Sequence, residues 1–233
     1  MFSKQKSKDK RIFHLIVFSF SILISCSFIA IDNKANQPHS HDIKTPNEAL
    51  AELKYGNNRF LDKLTHNKDY HAQIEATKEG QHPHSFILGC IDSRVPPEII
   101  FDQGIGDLFV ARVAGNIEDD NILGSMEFAV KIKHTKLIVV LGHSNCGAVN
   151  GAIDNVKLEH LTQLVNQIKP SIHTHETYPL PDYKTEQTAR KNVKMTIERI
   201  LQKSITLREQ VENKEIIIVG AYYEVATGEV IFL

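Results

Sequence analysis

The 233-residue chain has no tryptophan, and its aromatic residues amount to only 7% of the total. Proteins that grip single-stranded nucleic acid stack bases on aromatic platforms, and little material for one exists here. Neither sign of charge dominates. Twenty-seven Lys+Arg against 28 Asp+Glu leave a formal net charge of -1, where a nucleic-acid-binding domain shows a basic face. Nucleic acid is set aside as a partner. Three cysteines are too few for a disulfide framework. With 42% hydrophobic and 24% charged residues the chain is neither disordered nor fibrous, and its length suits one domain with a short appendage.

What is present begins with an unusual amino terminus. Lys4, Lys6, Lys8, Lys10 and Arg11 form a basic flank, and an apolar run from Ile12 to Ile24 follows, interrupted by His14, Ser19 and Ser21. That order is the n-region and h-region of an export signal. The run ends in Leu23-Ile24-Ser25-Cys26, similar to a bacterial lipobox, in which the cysteine is lipidated. The expectation is a signal peptide over 1–25, a lipid anchor at Cys26 and residence on the periplasmic side of a bacterial membrane. An uncleaved anchor, since apolar residues continue to Ile31, and plain secretion are the other two readings. A polar stretch without periodicity over 26–44 reads as a linker, its His39 and His41 solvated.

The folded domain is expected over 45–233. Thr45-Pro46-Asn47-Glu48 is a capping box with proline at the first helical position, and Ala49, Leu50, Leu53, Phe60 and Leu61 continue as an apolar stripe. Gly80 ends a second, less regular helical segment. Short apolar, β-branched runs then occur at 85–89, 107–113, 137–141 and 215–220, separated by helix-like stretches near 120–133, 146–168 and 184–212. Strands too apolar to alternate, with helices between them, predict a single α/β domain with a mostly parallel central sheet flanked by helices. Tyr222–Leu233, with Thr227-Gly228 in its middle, reads as a terminal hairpin or edge strand.

In open α/β sheets ligands gather beyond the carboxyl ends of strands. Three polar clusters fall there: Cys90-Ile91-Asp92-Ser93-Arg94, Arg112-Val113-Ala114-Gly115-Asn116, and Gly142-His143-Ser144-Asn145-Cys146-Gly147. Cys90, His143 and Cys146 make a sulfur and nitrogen donor set suited to zinc, and three protein ligands leave a fourth position open, as in catalytic sites. The competing reading is a Cys90–Cys146 disulfide in an oxidising compartment.

These three blocks, with Ser125–Val130 and the closing Gly220–Gly228, resemble the signature blocks of the β-carbonic anhydrases, in the family's order and over roughly residues 46–233. The resemblance implies reversible hydration of carbon dioxide to bicarbonate and a proton by a zinc hydroxide, with one Zn2+ per chain held by Cys90, His143 and Cys146. It implies that Asp92 and Arg94 are a catalytic dyad, the arginine's planar fork keeping the carboxylate off the metal. Gln81, Phe109, Ala114, Phe128 and the backbone N–H of Gly147 correspond to substrate-binding positions, and a homodimer or larger homo-oligomer is implied. His82, His84, His134 and His160 are candidate proton shuttles. A carbonyl sulfide or carbon disulfide hydrolase on the same scaffold, and a non-enzymatic zinc-binding envelope protein, are the alternative readings.

Overall fold

A computed structural model describes residues 43–172 and 181–233. The signal segment, Cys26 and most of the linker lie outside the described residues. Among the described residues no helix is long and apolar enough to cross a membrane.

Helix α1 (Pro46–Leu61) starts as the sequence predicts. The Thr45 hydroxyl accepts from the Glu48 N–H, and the Glu48 carboxylate accepts from the Thr45 N–H, so two otherwise orphaned donors are satisfied. Its inward side carries Ala49, Leu53, Gly56 and Asn57, a helical spacing. A short helix, α2 (Tyr70–Thr77), leads to the sheet.

Among the described residues five strands follow: β1 (Ser85–Gly89), β2 (Leu108–Arg112), β3 (Leu137–His143), β4 (Ile217–Tyr223) and β5 (Val230–Phe232). Their order is β2-β1-β3-β4-β5, parallel except for the last pair. Every residue of the central strands β1 and β3 is buried, which is why their sequences run apolar without alternation. The period of two reappears in what they touch. Ile87, Val139 and Leu141 pack with Ala49 and Leu53 of α1 and with Ile100 of α3 (Pro97–Ile100). Phe86, Leu88, Ile138 and Val140 pack on the other face, against α4 (Asp120–Glu127), α7 (Pro181–Lys203) and α8 (Ile205–Glu212). Truncating a fully buried member such as Leu53 to alanine costs about 2–5 kcal/mol.

Several expected boundaries move. The stretch 120–133 changes from α-helix to a wider π turn at Phe128–Ile132. The stretch 146–168 is two helices, α5 (Gly147–Ile153) and α6 (Glu159–Ile168), separated where Asn155 takes a positive φ of 54°. The stretch 184–212 breaks at Ser204, whose hydroxyl accepts from the Leu207 N–H and starts α8. Strand β3 runs two residues further than its β-branched core, through His143, because β4 pairs with it as far as His143 opposite Tyr223. Tyr222 and Tyr223 therefore belong to an interior strand, and β5 alone is the antiparallel edge.

Candidate metal centre

The chain leaves β1 toward β2 on one side and later returns to β3 on the other. The carboxyl end of β1 is the switch point, where diverging connections open a crevice. Cys90 directly follows β1, His143 is the last residue of β3, and Cys146 caps α5. All three are buried, and their donor atoms lie within 4.8 Å of one another. A third apolar cluster, with Ile117, Val149, Val165, Ile168 and Tyr222, closes around the two sulfurs.

The donor set fits a tetrahedral zinc ion on three observations. The Cys90 and Cys146 sulfurs are 3.9 Å apart, close to the roughly 3.8 Å separating two thiolates bound 2.3 Å from one tetrahedral centre. They are free thiols, well beyond the roughly 2.05 Å of a disulfide, so the expected alternative of a bridge does not hold. His143 Nδ1 lies 2.9 Å from the Ser144 carbonyl, which can only accept. The proton therefore sits on Nδ1, and the Nε2 lone pair has no hydrogen-bond partner although the residue is wholly buried. A buried nitrogen left bare costs free energy unless a metal takes it.

The two sulfurs shift in opposite directions: the bond with Cys90 and burial push the Cys146 thiol up, while Cys90 is drawn down. Cys90 is drawn well below the ordinary thiol range, first by the Cys146 S–H that donates to it. Burial opposes this shift, and the backbone N–H of Gly115 adds to it. Gly115 can bring its N–H to 3.4 Å from the sulfur because it turns at φ 74°, and a Cβ there would lie 2.5 Å from Ile168. The buried Asn192 amide of α7 donates to the Gly115 carbonyl at 2.8 Å and pins that turn.

Asp92 stands beside the pocket but not in the donor cluster. Its Oδ1 accepts from the Arg94 backbone N–H at 3.0 Å and from Arg94 Nε at 2.9 Å, and its Oδ2 accepts from the guanidinium at 2.7 Å. These bonds from Arg94 hold the carboxyl well below the usual carboxylate range. Arg94 also reaches the Asn145 carbonyl at 3.4 Å, in the loop between two candidate ligands. Arg112 was given no role from the sequence. It donates to the carbonyls of Cys90 and Asp92, at 2.8 and 2.5 Å, and so fixes the turn that carries both. Its place at the end of β2, in register with Gly89, was the available signal.

Of the other expected residues, Ala114 lies in the turn that touches Cys90, and the exposed Gly147 opens α5 beside Cys146. Gln81 is elsewhere. It is exposed in a hollow with Thr77, Ile105 and Gly106, at the amino ends of the strands, and the length of β1, about 17 Å, separates it from Cys90. Phe109 and Phe128 meet edge to face, with ring centroids 6.3 Å apart, in a surface hollow along β2 that includes none of the three ligands. Phe128 is 46% exposed. Among the candidate shuttles, His84 is buried with both ring nitrogens paired, to Ser85 and Gln103, and lies at the wrong end of β1. His82 and His134 share its end of the sheet, and His160 is exposed on α6.

Fold and site together define an α/β protein with a buried Cys2His cluster that could hold a metal ion, at the switch point of a parallel sheet. A family model described as carbonic anhydrase matches residues 85–230. Carbonic anhydrase 2 of Mycobacterium tuberculosis is 35% identical over 195 residues, covering 80% of this chain and 92% of its own. The carbonic anhydrase of Mycolicibacterium smegmatis is 34% identical over 191 residues, covering 79% and 92%. Among solved structures, the tetrameric β-carbonic anhydrases of Sordaria macrospora match with a TM-score of 0.63 and 28% identity, over 80% of this chain and 92% of that one. The chain belongs to the carbonic anhydrase family, in its β class.

Proposed function

We propose that the protein hydrates carbon dioxide reversibly to bicarbonate and a proton, with one zinc ion per chain held by Cys90, His143 and Cys146. The observation that carries this reading is the bare, buried Nε2 of His143 facing two sulfurs at tetrahedral spacing. Bound zinc supplies the Lewis acidity that makes a water nucleophilic near neutral pH. Two thiolates offset its charge, so the protein must do more of the orienting than at an all-histidine site. Asp92 serves as the acceptor that aims the nucleophile, because it is ionised, adjacent and tied away from the metal by Arg94. Ala114 gives carbon dioxide an apolar wall, and the Gly147 N–H is a donor for a substrate oxygen.

The reading extends to a homodimer or larger homo-oligomer in which Gln81, Phe109 and Phe128 of one protomer meet the pocket of its partner. Supporting it are the exposure of Gln81 and Phe128 and their distance from the pocket of their own chain. It extends also to export and lipidation at Cys26, on the strength of the basic flank, apolar run and lipobox-like end.

Stopped-flow measurement of carbon dioxide hydration, with zinc content determined on the same sample, tests the central claim. Fast turnover at about one zinc per chain, abolished by a chelator, is the expected result. Bound zinc with no hydration but with hydrolysis of carbon disulfide would replace this reading with the sulfur-substrate one.

A further inference from the structure

Between His143 and Cys146 lies a residue whose side chain bonds to the carboxyl-terminal turn and not to the sulfurs. Ser144 follows His143 and precedes Asn145-Cys146. Its hydroxyl donates to Glu224 Oε1 at 2.6 Å and accepts from the Val225 N–H at 2.9 Å. The same carboxylate oxygen accepts from the Ala226 N–H at 3.2 Å. Glu224 is tied into the turn before β5, donating from its backbone to Glu229 and accepting from Gly228. The Ser144 backbone N–H donates to the Tyr223 carbonyl at 2.9 Å, one step past the β3–β4 ladder.

We propose that Ser144 and Glu224 form a positioning clasp that orients His143, so that the carboxyl-terminal hairpin controls how tightly the metal is held. The clasp rests on the zinc reading above. His143 presents Nε2 to the sulfurs only while Nδ1–H points at the Ser144 carbonyl. That carbonyl is held in place by its own residue's N–H and hydroxyl, both bonded to the hairpin. The next residue makes such anchoring necessary. Asn145 stands at φ 53°, in the left-handed region that asparagine tolerates at some cost. The Arg94 guanidinium reaches its carbonyl only at 3.4 Å, a long contact. Without the clasp, the peptide groups on either side of Asn145 can turn, the Ser144 carbonyl can swing away, and the imidazole loses its fixed tautomer. Partners of this kind, one shell beyond the ligand, typically change metal affinity 10–100-fold. Glu224 and Ser144 are positioning residues, since neither touches metal or substrate.

The test combines zinc competition against a chelator, the visible spectrum of the cobalt(II)-loaded protein, and 15N shifts of His143 in the reduced, metal-free protein. Ser144→Ala and Glu224→Ala should each weaken zinc about 10–100-fold and alter the cobalt bands. The double variant should be no weaker than the worse single one, because the two act as one unit. In metal-free protein the His143 ring should pass from a single Nδ1–H tautomer to a mixture. Ser144→Thr and Glu224→Gln, which keep an oxygen in place, should restore affinity to within about threefold of the parent, which a loss of fold would not allow. Wild-type affinity together with an unmoved tautomer in Glu224→Ala overturns the clasp while leaving the zinc site standing. Failure of the parent protein to bind zinc, with the tautomer effect intact, overturns the zinc reading and keeps the orienting role.

Discussion

Two buried histidines occupy opposite ends of the same sheet, and their surroundings are opposite in kind. His84, 3% exposed, precedes β1 at its amino end, and His143, 0% exposed, closes β3 at its carboxyl end. Both nitrogens of His84 are satisfied, by the Ser85 hydroxyl at 2.7 Å and the Gln103 amide oxygen at 2.9 Å. Gln103 then donates to Glu52 and to the Phe101 carbonyl. Glu52 pairs with Arg59, and Arg59 and Lys68 both grip the fully buried Asp102. This chain of partners ties α1 to the loops that flank it. His143 has one partnered nitrogen and one bare one. A polar group buried and satisfied is architecture, and one buried and unsatisfied beside two sulfurs is a place for a ligand.

The sharpest way to break this contrast is at the ligands. Cys146→Ala should leave less than about a tenth of a zinc per chain by elemental analysis, with circular dichroism retained. Stoichiometric zinc in that variant would remove Cys146 from the site. Stripping the metal instead of a ligand should expose two sulfurs that need only close from 3.9 Å to about 2.05 Å. Thiol titration after chelation in air should find Cys90 and Cys146 consumed, and two persistent thiols would argue against their pairing.

Next comes the dyad. Arg94→Ala should cut turnover by about 10²–10³-fold with zinc retained, the scale of losing one preorganised polar group. Near-normal hydration would end the role given to Asp92.

At the amino end the effects should fall on stability. Asp102→Ala, which strips Lys68 of its carboxylate and leaves Arg59 only Glu52, should cost roughly 3–5 kcal/mol in denaturant unfolding while zinc content stays unchanged. Burial raises the Asp102 carboxyl, but the bonds from Lys68, Arg59 and the His66 N–H outweigh it and hold the group below its usual range. A depressed folded value means that its stabilisation is complete above about pH 4 and is lost as pH falls through the lower folded value. The parent should therefore lose stability in that acid window more steeply than the variant. Equal slopes would show that Asp102 is not the group responsible. The smallest effect is expected of His84→Ala, about 1–3 kcal/mol from the unpaired Ser85 and Gln103, with hydration unaffected. A marked fall in hydration would return His84 to the list of proton carriers.

Much of this was legible along the chain. The capping box at Thr45, the runs of β1 and β3 and the edge strand after Thr227-Gly228 stand close to where local pattern put them. Cys90, His143 and Cys146 were legible as a donor set because they fall just beyond the carboxyl ends of two predicted parallel strands, and the structure brings their donor atoms within 4.8 Å of one another. Boundaries set by single residues were not. The π turn at Phe128, the break at Asn155 and the Ser204 cap each fall inside a stretch whose pattern reads as one continuous helix.

By itself the sequence determined the class of fold and the chemistry of the donor set, because both follow from residue type and periodicity over short windows. Only the tertiary structure decided which nitrogen of which histidine stands bare, that Arg112 and Glu224 reach the site loops, and that Gln81 and Phe128 lie away from their own pocket. Those are questions of partners and burial. Partners are settled by contacts between segments far apart in the chain, which no local pattern encodes.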